Sequence, residues 1–224
     1  MAEQVHVGIV DSGYSARQQP QVDSAMRYFL DDCALWQGEP QPDQLLHGSR
    51  ILDVIAAQAP RARFAVAQVF DERFTTTPVQ VAAAIDWLVA EGVQLINLSL
   101  GLLHDREALA EACRRAANAG VILCASSPAK GDPVYPASYP DVIRMTGDAR
   151  CAPGQWSCLE TRYADFGGHV RSLDGESAGA SIGTAFMSGH LARYLAEGGE
   201  PAAAAARDWL RQHASFYGAE QRRA

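Results

Sequence analysis

Apolar positions along the chain fall into two patterns that alternate. Short, nearly unbroken apolar runs occur at VHVGIV (5–10), ARFAVAQVF (62–70), VQLINLSL (93–100), GVILCAS (120–126) and DVIRMTG (141–147). Runs this short and this rich in Val, Ile and Leu predict strands buried on both faces. Between them, PVQVAAAIDWLVAEG (78–92) and DREALAEACRRAANAG (105–120) carry apolar residues at helical spacing, and each closes on a Gly placed to follow a helix. Ile51, Leu52, Ile55 and Ala56 predict a further buried helix starting near His47, and Ala202–Ala206 runs into RDWLRQHA as a final helix. Buried strands alternating with helices predict an α/β fold, with a mostly parallel central sheet flanked by helices. Segments 14–46 and 148–178 carry little periodic pattern and many Gln, Pro, Gly and Asp residues, so they are expected to be surface excursions.

In such sheets reactive groups gather where the carboxyl ends of the strands meet the helix starts. Asp11 ends the first apolar run, although Asp-Ser-Gly by itself is ordinarily a turn. His47 stands at the start of a predicted helix, where the positive helix end favours a neutral imidazole suited to act as a base. Ser181 lies in GESAGASIGTAFMSGHLARYL (175–195), whose small residues equally suit a tight turn and close helix packing. A serine hydroxyl is a poor nucleophile without a base, and the base needs a carboxylate to orient it. Asp11, His47 and Ser181 supply one of each.

The order Asp, His, Ser and five segments carry a resemblance to the subtilisin-like serine peptidases. VGIVDSG is similar to that family's Asp strand, HGSRILDVIAA to its His helix and GASIGTAFMSG to its Ser helix. LINLSLG is similar to the family's strand that binds the substrate backbone, and YPASYPDVIRMTG to the segment after its oxyanion loop. The resemblance implies a three-layer subtilisin-like fold and a single domain over 1–224, expected to have neither signal peptide nor prodomain. It further implies that Ser181 attacks the scissile carbonyl, His47 takes and returns the proton, and Asp11 orients the imidazole. Ser99, Leu100 and Gly101 would pair with a polypeptide substrate as an added strand. GASIG also matches the G-x-S-x-G elbow of α/β-hydrolases. That fold needs a strand before the serine and an acid, then a His, after it, whereas RSLDGESA is no buried strand and only His190 and His213 follow.

The chain departs from the family most in VILCASSPAKGDPVYP, where the family reads Ala-Gly-Asn and the Asn amide binds the oxyanion. No Asn follows Asn118, and Ala129 falls at the Asn position. Losing such a donor costs roughly 3 to 4 kcal/mol of transition-state stabilisation. The Ser181 backbone N–H remains as one donor, with Ser126, Ser127 or Lys130 as the second; Ser127 is preferred. Arg50, Ala180, Ala185 and Phe186 are milder departures. Leu100, Gly101 and segment 124–128 are expected to shape the first side-chain pocket, with Phe74, Thr75 and Thr76 bordering a more distant one. A narrower resemblance, to compact proteases that cut a leader from a modified peptide, implies a precursor peptide with its modifying enzyme as partner. A pseudoprotease that binds a peptide without turnover is the alternative.

Composition narrows the setting. The chain has 224 residues and a formal net charge of −7, with Arg scattered and no basic run, which disfavours nucleic acid as a partner. No apolar stretch approaches the roughly 20 residues that span a bilayer, so no membrane association is expected. MAEQVHVGIVDSG lacks the charged and apolar regions of a secretion signal. Cys33, Cys113, Cys124, Cys151 and Cys158 form an odd set without C-x-x-C spacing, which suits reduced thiols in a cytoplasm. No metal, calcium loop or cofactor motif is expected.

Overall fold

The computed structural model describes residues 4–220. Its centre is one sheet whose inner strands are β1 (His6–Asp11), β4 (Arg63–Gln68), β5 (Leu95–Leu98), β6 (Ile122–Ser126) and β7 (Val142–Gly147). Each corresponds to one of the five apolar runs, trimmed or shifted at its ends. All pair in parallel in the order β7-β6-β5-β1-β4. Parallel pairing requires crossovers, and α1 (His47–Gln58), α2 (Pro78–Ala90), α3 (Glu107–Asn118), α4 (Ala180–Ala196) and α5 (Ala203–Gln212) cover the two faces.

The core divides accordingly. On one face, Ile9, Phe64 and Val66 pack with Ile51, Leu52 and Ile55 of α1 and with Phe186 and Leu191 of α4. On the other, Val10, Ala65 and Ile96 pack with Ile85 and Leu88 of α2 and Leu109 of α3. Fully burying such a side chain contributes about 1.5 to 3 kcal/mol, so the three layers are held mainly by these contacts.

Glycines let α4 lie directly on the sheet. A Cβ at Gly183 would stand 2.3 Å from the Thr146 carbonyl oxygen, and one at Gly168 would stand 2.5 Å from the Gly183 oxygen. The small residues around Ser181 therefore do serve close packing, whatever else they do.

Segments 14–46 and 148–178 are not mere excursions. The first holds a 3-10 turn, Ala16–Gln21, and the hairpin β2 (Val22–Asp31) and β3 (Ala34–Gly38), which forms one edge of the sheet. β2 is mostly half-exposed and carries a register shift at Val22/Ser24, which blurs its alternation. Asp32 and Cys33 turn the hairpin with φ of 45° and 64°, without the Asn-Gly signal that usually marks such a turn. The second segment holds β8 (Trp156–Cys158) and β9 (Phe166–Gly168), each three residues long, with β10 (Phe216–Tyr217) at the far edge. All five cysteines are free thiols, so Cys151 and Cys158 do not pair.

Candidate active site

The parallel sheet brings the carboxyl ends of β1, β5 and β6 to one edge, and with them Asp11, Ser99 and Ser126. Asp11 is fully buried as the last residue of β1. α1 starts beside it because the chain before the helix is tightly held. The Asp43 carboxylate accepts hydrogen bonds from Leu46 N at 2.9 Å, Ser49 N at 2.9 Å and Ser49 Oγ at 2.7 Å, and Leu46 turns through φ 56°. Gly48 N then donates to Ser12 Oγ at 2.9 Å.

His47, the first residue of α1, is thereby set against Asp11. Its Nδ1 lies 2.7 Å from Asp11 Oδ1 and 3.0 Å from Oδ2, and Ser12 N donates to Oδ1 at 2.7 Å. A carboxylate on Nδ1 fixes the tautomer and leaves Nε2 as the acceptor. Burial alone would push the imidazole down; the Asp11 charge and hydrogen bond, with help from Asp43, outweigh burial and the nearby Arg50, so the pKa is raised. Arg50 itself links the two helices' surroundings, its Nε donating to Asp174 Oδ2 at 2.8 Å in the loop that leads to α4.

Ser181 is the second residue of α4, which starts after Gly179 at φ 121°. The N–H groups of a helix's first turn have no intrahelical acceptor, so the Ser181 backbone N–H is available as an anion donor. Its hydroxyl donates to the Ser99 carbonyl at 3.3 Å, while Ser99 Oγ donates to the Ser181 carbonyl at 3.4 Å. Ser99 Oγ in turn accepts from Asn97 Nδ2 at 2.8 Å, and Ser188 Oγ donates to Asn97 Oδ1 at 2.9 Å. This buried chain ties α4 to the end of β5. Asn97 was not legible as a site residue; it looks like any interior position of an apolar run.

A cleft of about 380 Å³ is lined on one side by Ser181, Ser99 to Leu102 and Ser126, whereas Asp11 and His47 do not line it. Phe70 and Phe74 to Thr76 line the remainder. The Phe74 ring stands edge-on to His47, centroids 5.0 Å apart. Ser127 is placed differently from its expected role. Its hydroxyl donates to the Tyr163 carbonyl at 2.6 Å and its N–H to Met145 O at 2.8 Å, and it does not line the cleft. An oxyanion could use that hydroxyl only by displacing the Tyr163 bond. Ser126 lines the cleft with its Oγ 3.4 Å from the Leu100 carbonyl, and Ala129 and Lys130 are exposed. Among the described residues, no group of three or more His, Cys, Asp or Glu is placed to hold a metal ion. No helix among them is long and apolar enough to cross a membrane.

The mostly parallel sheet with helices on both faces is the layered arrangement of a subtilisin-like α/β protein, and sequence relatives agree. The chain is a relative of the subtilisin-like proteases. It is 31% identical over 171 residues to the subtilisin-like protease het-Q2 of Podospora anserina, covering 69% of this chain and 44% of that protein. It is 25% identical over 154 residues to the minor extracellular protease Epr of Bacillus subtilis (strain 168), covering 63% and 23%. The chain thus spans less than half the length of these relatives. No protein-family model matches it. Among solved structures, the prenylagaramide maturation protease PagA superposes with a TM-score of 0.62 at 17% identity, over 89% of this chain and 79% of that one. A lanthipeptide protease superposes with a TM-score of 0.68 at 19% identity, over 93% and 79%. At such identities the superpositions establish the shared fold.

Proposed function

We propose that the chain is a serine endopeptidase that uses Asp11, His47 and Ser181, and that it acts as a narrow-specificity maturation protease removing a leader from a precursor peptide. The observation that carries this reading is the Asp11–His47 pair, 2.7 Å apart, with the His47 ring against Phe74 of a cleft that Ser181 and Ser99 to Gly101 also line. An extended polypeptide pairs with Ser99, Leu100 and Gly101. Ser181 Oγ leaves the Ser99 carbonyl, gives its proton to His47 Nε2 and attacks the scissile carbonyl; His47 then returns the proton to the leaving amine, and water resolves the acyl-enzyme. The Ser181 N–H stabilises the oxyanion.

One structural neighbour is named a prenylagaramide maturation protease and another a lanthipeptide protease, which supports the leader-cutting reading. The precursor of the small, thioether-crosslinked subunit of quinohemoprotein amine dehydrogenase, together with its modifying enzyme, is the specific substrate proposed, and the five free thiols suit a cytoplasmic setting. Incubating that leader-bearing precursor with the chain and with Ser181→Ala, with and without the modifying enzyme, and reading products by mass spectrometry tests the proposal. A single Ser181-dependent cut is expected. Stable binding without a cut would favour the pseudoprotease reading, which rests on Ala129 and on the Ser127 hydroxyl being bound to Tyr163.

The pH dependence has a definite sign. His47 must be neutral to act as base, and its pKa is raised, so kcat/KM is lost on the acid side with a midpoint above the ordinary value of about 6.5. Asp11→Asn removes the charge that raises it. Burial then dominates, the midpoint falls below about 6.5, and turnover drops by roughly 10⁴-fold as the tautomer is lost. Rate profiles of the two proteins on one peptide substrate check both shifts.

A further inference from the structure

The two groups that the proposed reaction needs ride on separate helices, and the helices are fastened unevenly. Toward their far ends α1 and α4 meet at backbone distance: a Cβ at Gly189 would stand 2.6 Å from Gln58 Cβ and 3.4 Å from the Ile55 carbonyl oxygen. At their starts stand His47 and Ser181, and there the Ser181 hydroxyl rests on the Ser99 carbonyl while His47 Nδ1 faces Asp11. Between residues 43–58 and residues 170–184, one hydrogen bond runs among the described residues, from Arg50 Nε to Asp174 Oδ2 at 2.8 Å.

Both ends of that bond are held. Arg50 lies one turn beyond His47 on the same side of α1. Asp174 cannot swing, since its Oδ1 accepts from Ser172 Oγ at 2.5 Å and from Glu176 N at 3.1 Å. Ser172 Oγ also accepts from Ser177 N at 2.9 Å, Ser172 N donates to Ser177 O at 2.9 Å, and Gly179 N donates to Val170 O at 2.9 Å. Residues 170–179 therefore form a closed loop that grips α1 through Asp174 and delivers the chain to Ser181. Arg50, Ser172 and the Glu176 N–H hold the Asp174 carboxyl well below the usual carboxylate range, so the pair stays charged wherever His47 is neutral. An ion pair between partly exposed side chains adds little to stability, so what this one can supply is position.

We propose that Arg50 and Asp174 are positioning residues: their ion pair is a strut that holds the starts of α1 and α4 in register, and so sets the fraction of molecules in which Ser181 Oγ comes within reach of His47 Nε2. This deepens the peptidase reading by naming what controls its site, and it rests on that reading for the effect on reactivity but not for the strut itself. Proton transfer needs the two heavy atoms about 2.6 to 3.2 Å apart, and the rate scales with the fraction of chains in that arrangement. Arg50 has a second effect that Asp174 lacks. The charged groups that act on His47 are Asp11 from β1, Asp43 from the turn before α1 and Arg50 from α1, and of these only Arg50 opposes its protonation.

The test is the rate at which a serine-directed fluorophosphonate labels Ser181 across pH, with hydrogen exchange of residues 172–181 measured on the same full-length proteins. Arg50→Gln and Asp174→Asn should each slow labelling about tenfold well above the His47 midpoint, and the double variant no further, because either change removes the same strut. Arg50→Glu combined with Asp174→Arg should restore most of the rate. Exchange across 172–181 should quicken in both single variants and return toward the original in the charge-swapped one. The acid midpoint of labelling should rise in Arg50→Gln but not in Asp174→Asn, a difference that a merely structural defect would not produce. Additive losses in the double variant, or exchange that stays unchanged in both single variants, would overturn the proposal. If the unsubstituted chain takes no label, the endopeptidase reading fails, while quicker exchange in both single variants would still support the strut.

Discussion

Under the proposed mechanism, Ser181→Ala should lower kcat by roughly 10⁴ to 10⁶-fold on any peptide the chain cleaves, with KM little changed. The alanine removes one oxygen, whose present contacts are a 3.3 Å bond to the Ser99 carbonyl and the space of the cleft. Under the proposed mechanism, peptide pairing with Ser99, Leu100 and Gly101 would be untouched, so the loss would fall on the chemical step. His47→Ala should cost as much, and the double variant scarcely more, as two residues of one proposed catalytic unit would. Kinetics of the three variants on one peptide check this. Additive losses would mean that Ser181 and His47 do not cooperate.

Gly48→Ala is the second large effect, and it acts through the backbone. A Cβ there would stand 2.3 Å from Gly13 O, 2.9 Å from Gly13 N and 3.2 Å from Asp11 Cβ. The two nearest atoms are main chain and cannot swing aside, so α1 must move away from β1. That overpacking costs about 3 kcal/mol. In a chain of this size it lowers the melting temperature by roughly 6 to 12 °C. The same displacement pulls His47 from Asp11, and a misplacement of about 1 Å costs on the order of 100-fold in turnover. Gly154→Ala is the control, for a Cβ there meets nothing within 4 Å, and both melting temperature and turnover should stay as they were. Thermal unfolding and kinetics on the two variants decide it.

The centre of the fold was readable from the chain because β1, β4, β5, β6 and β7 are buried on both faces and so are written in nearly continuous Val, Ile, Leu and Ala. The edges were not. β2 is half-exposed, so its outer positions carry Asp, Ser and Arg where burial would have demanded apolar residues, and β8 and β9 are too short to show a period. At the proposed site, Asp11, His47 and Ser181 are candidates because three segments resemble one family in the right order. Asp43, which sets the turn into α1, had only the weak signal of an Asp a few residues ahead of a helix. Position alone suggests Ser127 as a donor, and what decides its hydroxyl is the Tyr163 carbonyl, thirty-six residues on and invisible to any local pattern.

The most direct test of the central claim is labelling with a serine-directed fluorophosphonate, mapped by peptide mass spectrometry. The account predicts one adduct, on Ser181, absent in His47→Ala and slowed in Asp11→Asn. No adduct on the unsubstituted chain, or one that persists equally in His47→Ala, would contradict it.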